Sequence, residues 1–157
     1  MDPRFTPTFR VIPVAAPAAG AEIDVRSERS AGWLVRSVRA SLTTSVVVGA
    51  RCSILAVSDG TREYFRSAPG ATQAASLTRS IYGFSGSTGA PSTGANIGIG
   101  LPSDGLWLPQ GHHLLTLTEN LDVADQYTEI WLSVFEFPVG EGVSMWPFVA
   151  TYLESSE

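Results

Sequence analysis

"GWLVRSVRASLTTSVVVGARCSILAVSDG", residues 32–60, decides how the rest of the chain is read. Its first eleven residues alternate, with Leu34, Val38, Ala40 and Leu42 on one side and Trp33, Val35, Ser37, Arg39 and Ser41 on the other. Side chains two apart share a face of a strand, so this is a strand signature with one exception, Arg36 on the apolar side. "RCSILAVS" alternates again, Cys52, Ile54 and Ala56 against Ser53, Leu55 and Val57. Asp59-Gly60 then supplies the positive φ that a tight hairpin needs, and "TREYFRS" returns as its partner. Between the two runs, "TTSVVVGA" is expected to cross from one sheet to another, its valines capping the core.

The same period recurs outward. "EIDVR", "ASLTRSIYGF", "HHLLTLTE" and "YTEIWLSVFEF" read as strands, "IGIGL" as an edge or bend, and "SGSTGAPSTGAN" as a loop. With no helical stripe in any ten-residue window, about seven or eight short strands imply an all-β fold: a two-layer antiparallel β-sandwich, jelly-roll-like. The expected organisation is an extended N-terminal arm over 1–21 with four prolines, a sandwich over 22–137 and a C-terminal tail over 138–157.

Composition narrows the function classes. There is no lysine; all ten cations are arginines at or before Arg79, against six acids there and nine after it. A net charge of −5 opposes direct nucleic-acid binding. A single cysteine, Cys52, excludes an internal disulfide and reads as a buried, inert thiol. No apolar run reaches the length of a membrane span and no signal peptide is legible, so the chain is expected to be made in a cytoplasm, with no membrane partner.

Catalytic and metal motifs fail on inspection. His112 and His113 are neighbours on a strand, so they point to opposite faces and cannot chelate one ion. Asp122, Asp125 and Glu129 lack the alternating ligands and glycine of a calcium loop and read as turn caps. "GFSGS" has Ser87 where a nucleophile elbow needs glycine, and "GIGLPS" lacks the third glycine of a dinucleotide loop. The expectation is a non-enzyme with no cofactor and no metal.

Aromatics point elsewhere. In "EIWLSVFEF", Ile130, Leu132 and Val134 form one face, while Trp131, Phe135 and Phe137 form the other. A strand apolar on both faces must be covered on both. The tail, with Trp146, Phe148 and Tyr152, is expected to fold over its own sheet or over a neighbour's; with Phe5 and Phe9 near the N-terminus and Trp131 and Phe135 on this strand, these are the candidate partner contacts.

Residues 31–137 resemble small β-sandwich virion proteins of tailed bacteriophages. The resemblance lies in a W-x-V-x-S-V-R strand (Trp33–Arg39), an L-T-T-S turn (Leu42–Ser45) and a G-x-R entry (Gly49–Arg51), with an "LP…G" turn (Leu108–Gly111) and a D-Q step (Asp125-Gln126). It implies a structural protein located in the virion: a capsid decoration or cement subunit, or a minor head protein, bridging neighbours through its arms. Its partners would be the major capsid protein or head–tail proteins and further copies of itself. A tail or head–tail junction component is the alternative. A carbohydrate-binding sandwich is another, with Trp107 and Tyr82 stacking on sugar and Asp104 or Asp122 hydrogen-bonding to it.

Overall fold

The computed structural model describes residues 6–88 and 96–138. These form ten strands: β1 (Thr8–Val14), β2 (Asp24–Arg26), β3 (Ala31–Thr43), β4 (Cys52–Ser58), β5 (Glu63–Ser67), β6 (Thr78–Phe84), β7 (Asn96–Gly98), β8 (Leu106–Leu108), β9 (His113–Glu119) and β10 (Gln126–Pro138). The fold is all-β, 59% strand, in two sheets, and no helix occurs among the described residues. A six-stranded sheet runs β1-β10-β3-β6-β7 with β8 also on β3; a four-stranded sheet runs β2-β9-β4-β5. Among the ten strands all pairings are antiparallel except β6 with β7, which is parallel and lies at the edge. The core draws on both sheets, with Leu42, Tyr127 and Leu132 from the first meeting Leu55, Val57 and Leu114 from the second.

The long pair β3/β10 holds that core together, and each strand contains one irregularity. On β3, Ser37 faces Ser133 while Val35 faces Val134, so the extra residue is Arg36. A bulge of one residue reverses which face the following side chains occupy. Trp33 and Val35 therefore join the core before the bulge, and Val38, Ala40 and Leu42 after it. This corrects the strict alternation expected from sequence: the Arg36 exception is the bulge itself, and Leu34, not Val35, faces outward. The bulged carbonyl is satisfied by Ser85, whose N–H donates to it at 2.8 Å. On β10 the shift lies between Thr128 and Trp131, with Glu129 at φ 50°. It lets Tyr127 share the core with Ile130, Leu132 and Val134, the last three as expected.

The region expected as an extended N-terminal arm is in part a strand. Thr8–Val14 pairs with β10 from Thr8↔Glu136 to Val14↔Ile130. Ile12 and Val14 pack against the core. Pro13 lacks an N–H, which an edge strand tolerates and a central strand does not. Proline content was thus a signal for an edge rather than for an unpaired arm. Further on, the Pro17 carbonyl accepts from Gln126 and the Gly20 N–H donates to the Asp125 carbonyl.

The β4–β5 hairpin forms at Asp59-Gly60 as read. Gly60 has φ 93°, and one Asp59 carboxylate oxygen accepts the N–H groups of Thr61 and Arg62, both at 2.7 Å. Cys52 is half-buried rather than buried; burial first, then the Glu119 charge, push its thiol up from the ordinary value.

Candidate interaction face

Register places three rows of side chains across the face of the six-stranded sheet that points away from the core. They are Phe9–Phe135–Leu34–Trp107, Val11–Ser133–Ser37–Phe84 and Pro13–Trp131–Arg39–Tyr82. Directly opposed residues share a face and touch. Phe9 and Phe135 meet edge to face at 5.5 Å, and Trp107 meets Phe137 at 5.6 Å. The middle row is joined by a Ser37–Ser133 hydroxyl bond of 2.8 Å. Despite these mutual contacts the face stays open among the described residues: Phe9 is 55% and Trp131 46% exposed, and Val11 and Phe84 are exposed too. Arg39 is exposed in the lowest row, with no carboxylate partner among the described residues. Glu129 lies beside it, accepting from the Ser41 hydroxyl.

Of the candidate contacts, Phe9, Trp131 and Phe135 are brought together on this face. Phe5, Trp146, Phe148 and Tyr152 lie outside the described residues. Of the sugar-binding candidates, Trp107 and Tyr82 lie on this face in its first and last rows, and the Asp104 carbonyl accepts from Arg36. Trp107 closes over Gly32, where even a Cβ would fall 2.6 Å from the ring, and it sits near the start of β3. Asp122 lies in the turn before β10, beside the opposite end of β3.

A second apolar display sits at that opposite end, on the crossover from β3 to β4. Val46, Val47 and Val48 do not cap the core; all three are exposed. What holds them outward is a buried ion pair, Arg51 with Asp125. Arg51 uses all five guanidinium donors. Nε and Nη2 donate to the Asp125 carboxylate at 2.9 and 3.2 Å, Nη2 also reaches Ser45 Oγ, and Nη1 donates to the Val47 and Gly49 carbonyls at 2.8 and 2.7 Å. Asp125 in turn accepts the N–H groups of Ser45 and Asp122. Burial pulls the Asp125 carboxyl upward, but the bonds from Arg51, Asp122 and Ser45 and the Arg51 charge prevail and hold it at about 2. Asp122 is the turn cap expected of it, accepting from Ala124 N; Asp125 is instead the buried anion.

The parts of this network stand in three separate motifs of the sequence. Ser45 closes the L-T-T-S turn, Arg51 ends the G-x-R entry, and Asp125 begins the D-Q step. An arginine opening an apolar strand and an aspartate opening another are the signal, because neither can be buried alone.

The four-stranded sheet offers less. An open depression on it is lined by Glu22, Ile54, Arg66 and Glu119, but the Glu22 carboxylate is already taken up by Thr116 and Thr118. His112 bonds to the Tyr64 hydroxyl and His113 to Asp24, so the two imidazoles serve separate partners. Among the described residues no group of three or more His, Cys, Asp or Glu side chains is placed to hold a metal ion. No protein-family model, curated protein or solved structure matches the chain.

Proposed function

We propose that this chain is a non-enzymatic structural subunit of a phage particle, a capsid decoration or cement protein that docks through the open face of its six-stranded sheet. The two sheets would then form a jelly-roll-like sandwich with one face for its own core and one for the particle. The observation that carries the proposal is the registered apolar face on β1, β10 and β6, centred on Phe9, Val11, Trp131 and Phe84. Contiguous apolar surface of this kind marks interaction sites. The assignment to a virion rests on the motif resemblance over residues 31–137.

Co-sedimentation tests it. The wild-type chain is expected to travel with heads at fixed stoichiometry, and Trp131→Asp with Phe9→Asp is expected to fold yet lose at least ten-fold of that association, about 1.4 kcal/mol. A chain absent from purified particles ends the virion assignment.

A further inference from the structure

We propose that β1 is the edge at which two copies of this chain join, antiparallel and two-fold, so that their six-stranded sheets become one. Such a pairing uses the rim of the sheet and leaves its open face unobstructed, so it goes beyond the function proposed above without depending on it.

The backbone groups of β1 can be assigned one by one. Pro13 stands opposite Trp131 and has no N–H, so this pair cannot be one that exchanges hydrogen bonds. Antiparallel pairs alternate, and the register runs unbroken along the strand, so Thr8, Arg10, Ile12 and Val14 are the residues that bond to β10. Phe9, Val11 and Pro13 turn their backbone groups outward. That edge holds two donors, the N–H groups of Phe9 and Val11, and three carbonyl acceptors, none with a hydrogen-bond partner among the described residues.

The other sheet edges carry the devices that stop such pairing. β7 and β2 have three residues each, and β2 reads Asp-Val-Arg. β5 carries Glu63 and Arg66 and joins β4 through a register shift. β1 has seven residues and no shift, and its one charge, Arg10, is drawn to Glu136 on the neighbouring strand at 2.6 Å.

Pro13 is the one blunting residue on β1, and together with Arg10 it selects the occupant, because this edge is its own complement. A second β1 laid antiparallel with Val11 on the two-fold axis sets Phe9 against Pro13 of the other copy. Every outward donor is then used: the two Val11 N–H groups donate to each other's carbonyls, and each Phe9 N–H donates to a Pro13 carbonyl. The absent Pro13 donor falls opposite a Phe9 carbonyl, and a carbonyl is the cheaper group to leave unpaired. Centring the pair on Arg10 instead would set two arginines directly opposite, which opposes pairing. With Val11 at the centre, Arg10 meets Ile12. The open face also continues across the join, from Trp131 and Pro13 to Phe9 and Phe135 of the other copy. A contact between identical strands is isologous and closes as a dimer.

Sedimentation velocity and amide exchange on the full chain test this. The contact is small, so the wild type should show a weak, concentration-dependent monomer–dimer equilibrium. The Phe9 and Val11 amides should gain protection as dimer forms, while the Ile12 amide is protected throughout. Val11→Lys and Val11→Glu each place like charges together on the axis, and each alone should be monomeric. Mixed in equal amounts they should dimerise, because residue 11 of one copy then meets its opposite charge in the other. Val11→Pro removes a donor that β10 does not use; it should keep the wild-type melting curve and dimerise about ten-fold more weakly. Should it fail to fold, the lysine and glutamate variants, which keep that N–H, decide the matter. A wild type that stays monomeric, charged variants that dimerise alone, or a mixture that does not dimerise would overturn the pairing. So would a dimer whose Phe9 and Val11 amides exchange as fast as in the monomer.

Discussion

The two sheets treat apolar side chains differently. On the four-stranded sheet the outward positions of β4, Ile54 and Ala56, are buried, beneath a surface that carries Arg66, Glu119 and Glu22. Tyr64 is its one exposed large hydrophobic among the described residues. The six-stranded sheet leaves Phe9, Val11, Phe84 and Trp131 in the open, and the crossover adds three valines. Among the described residues, one sheet is covered by its own charged side chains and the other leaves large apolar side chains exposed.

The crossover gives the strongest way to break that contrast. Arg51→Ala leaves Asp125 buried and unpaired and should cost about 3–5 kcal/mol in urea unfolding. Replacing both partners, Arg51→Met with Asp125→Leu, should restore most of the stability while releasing the valine loop, visible as faster amide exchange over 45–50. A double replacement that leaves exchange unchanged would show that the pair does not hold the loop.

Adjacent residues of β10 sharpen the contrast within one strand. Leu132→Ala opens the shared core and should cost about 2–5 kcal/mol. Trp131→Ala, one position along on the open face, should change stability by no more than about 0.5 kcal/mol. Equal losses would mean that the open face is covered within the subunit.

Much of this was legible beforehand, and the misses have physical causes. Alternation located β3, β4, β9 and β10, and Asp59-Gly60 located the hairpin, because period and turn chemistry are local properties. Alternation could not give the phase of β3 across Arg36, since a bulge is set by the partner strand. Nor could it show that Thr8–Val14 is an edge strand: its order comes from pairing with β10 and from packing of Ile12 and Val14 on the core, both long-range. The valines were misplaced for the same reason, as their exposure depends on an arginine and an aspartate 74 residues apart.

The edge strand can be tested next. Were residues 1–14 a mere arm, deleting them would leave the six-stranded sheet intact. Instead the deletion removes Ile12 and Val14 from contact with the core and unpairs β10. Partial burial of two aliphatic side chains corresponds to about 2–4 kcal/mol, read as an earlier melting transition. A truncated chain that melts like the full one would return this segment to the status of a free arm.

The smallest expected effect concerns pH and the crossover. Asp125 is held at about 2 in the folded chain, against roughly 3.9 when unfolded. A carboxyl depressed by folding contributes its stability above the unfolded value and loses it as pH falls towards the folded one. The contribution is therefore complete at neutral pH and fades between about pH 5 and pH 2, a loss of about 2 kcal/mol. Other carboxylates titrate in the same range, so the measurement is a difference: urea unfolding of the wild type minus that of Arg51→Met/Asp125→Leu, followed down in pH. Shared carboxylates cancel, and the difference should move by about 2 kcal/mol against the wild type on acidification. A difference that stays flat to pH 2 would show that the Arg51–Asp125 pair contributes no charge-dependent stability, and the fixed display of Val46–Val48 would need another cause.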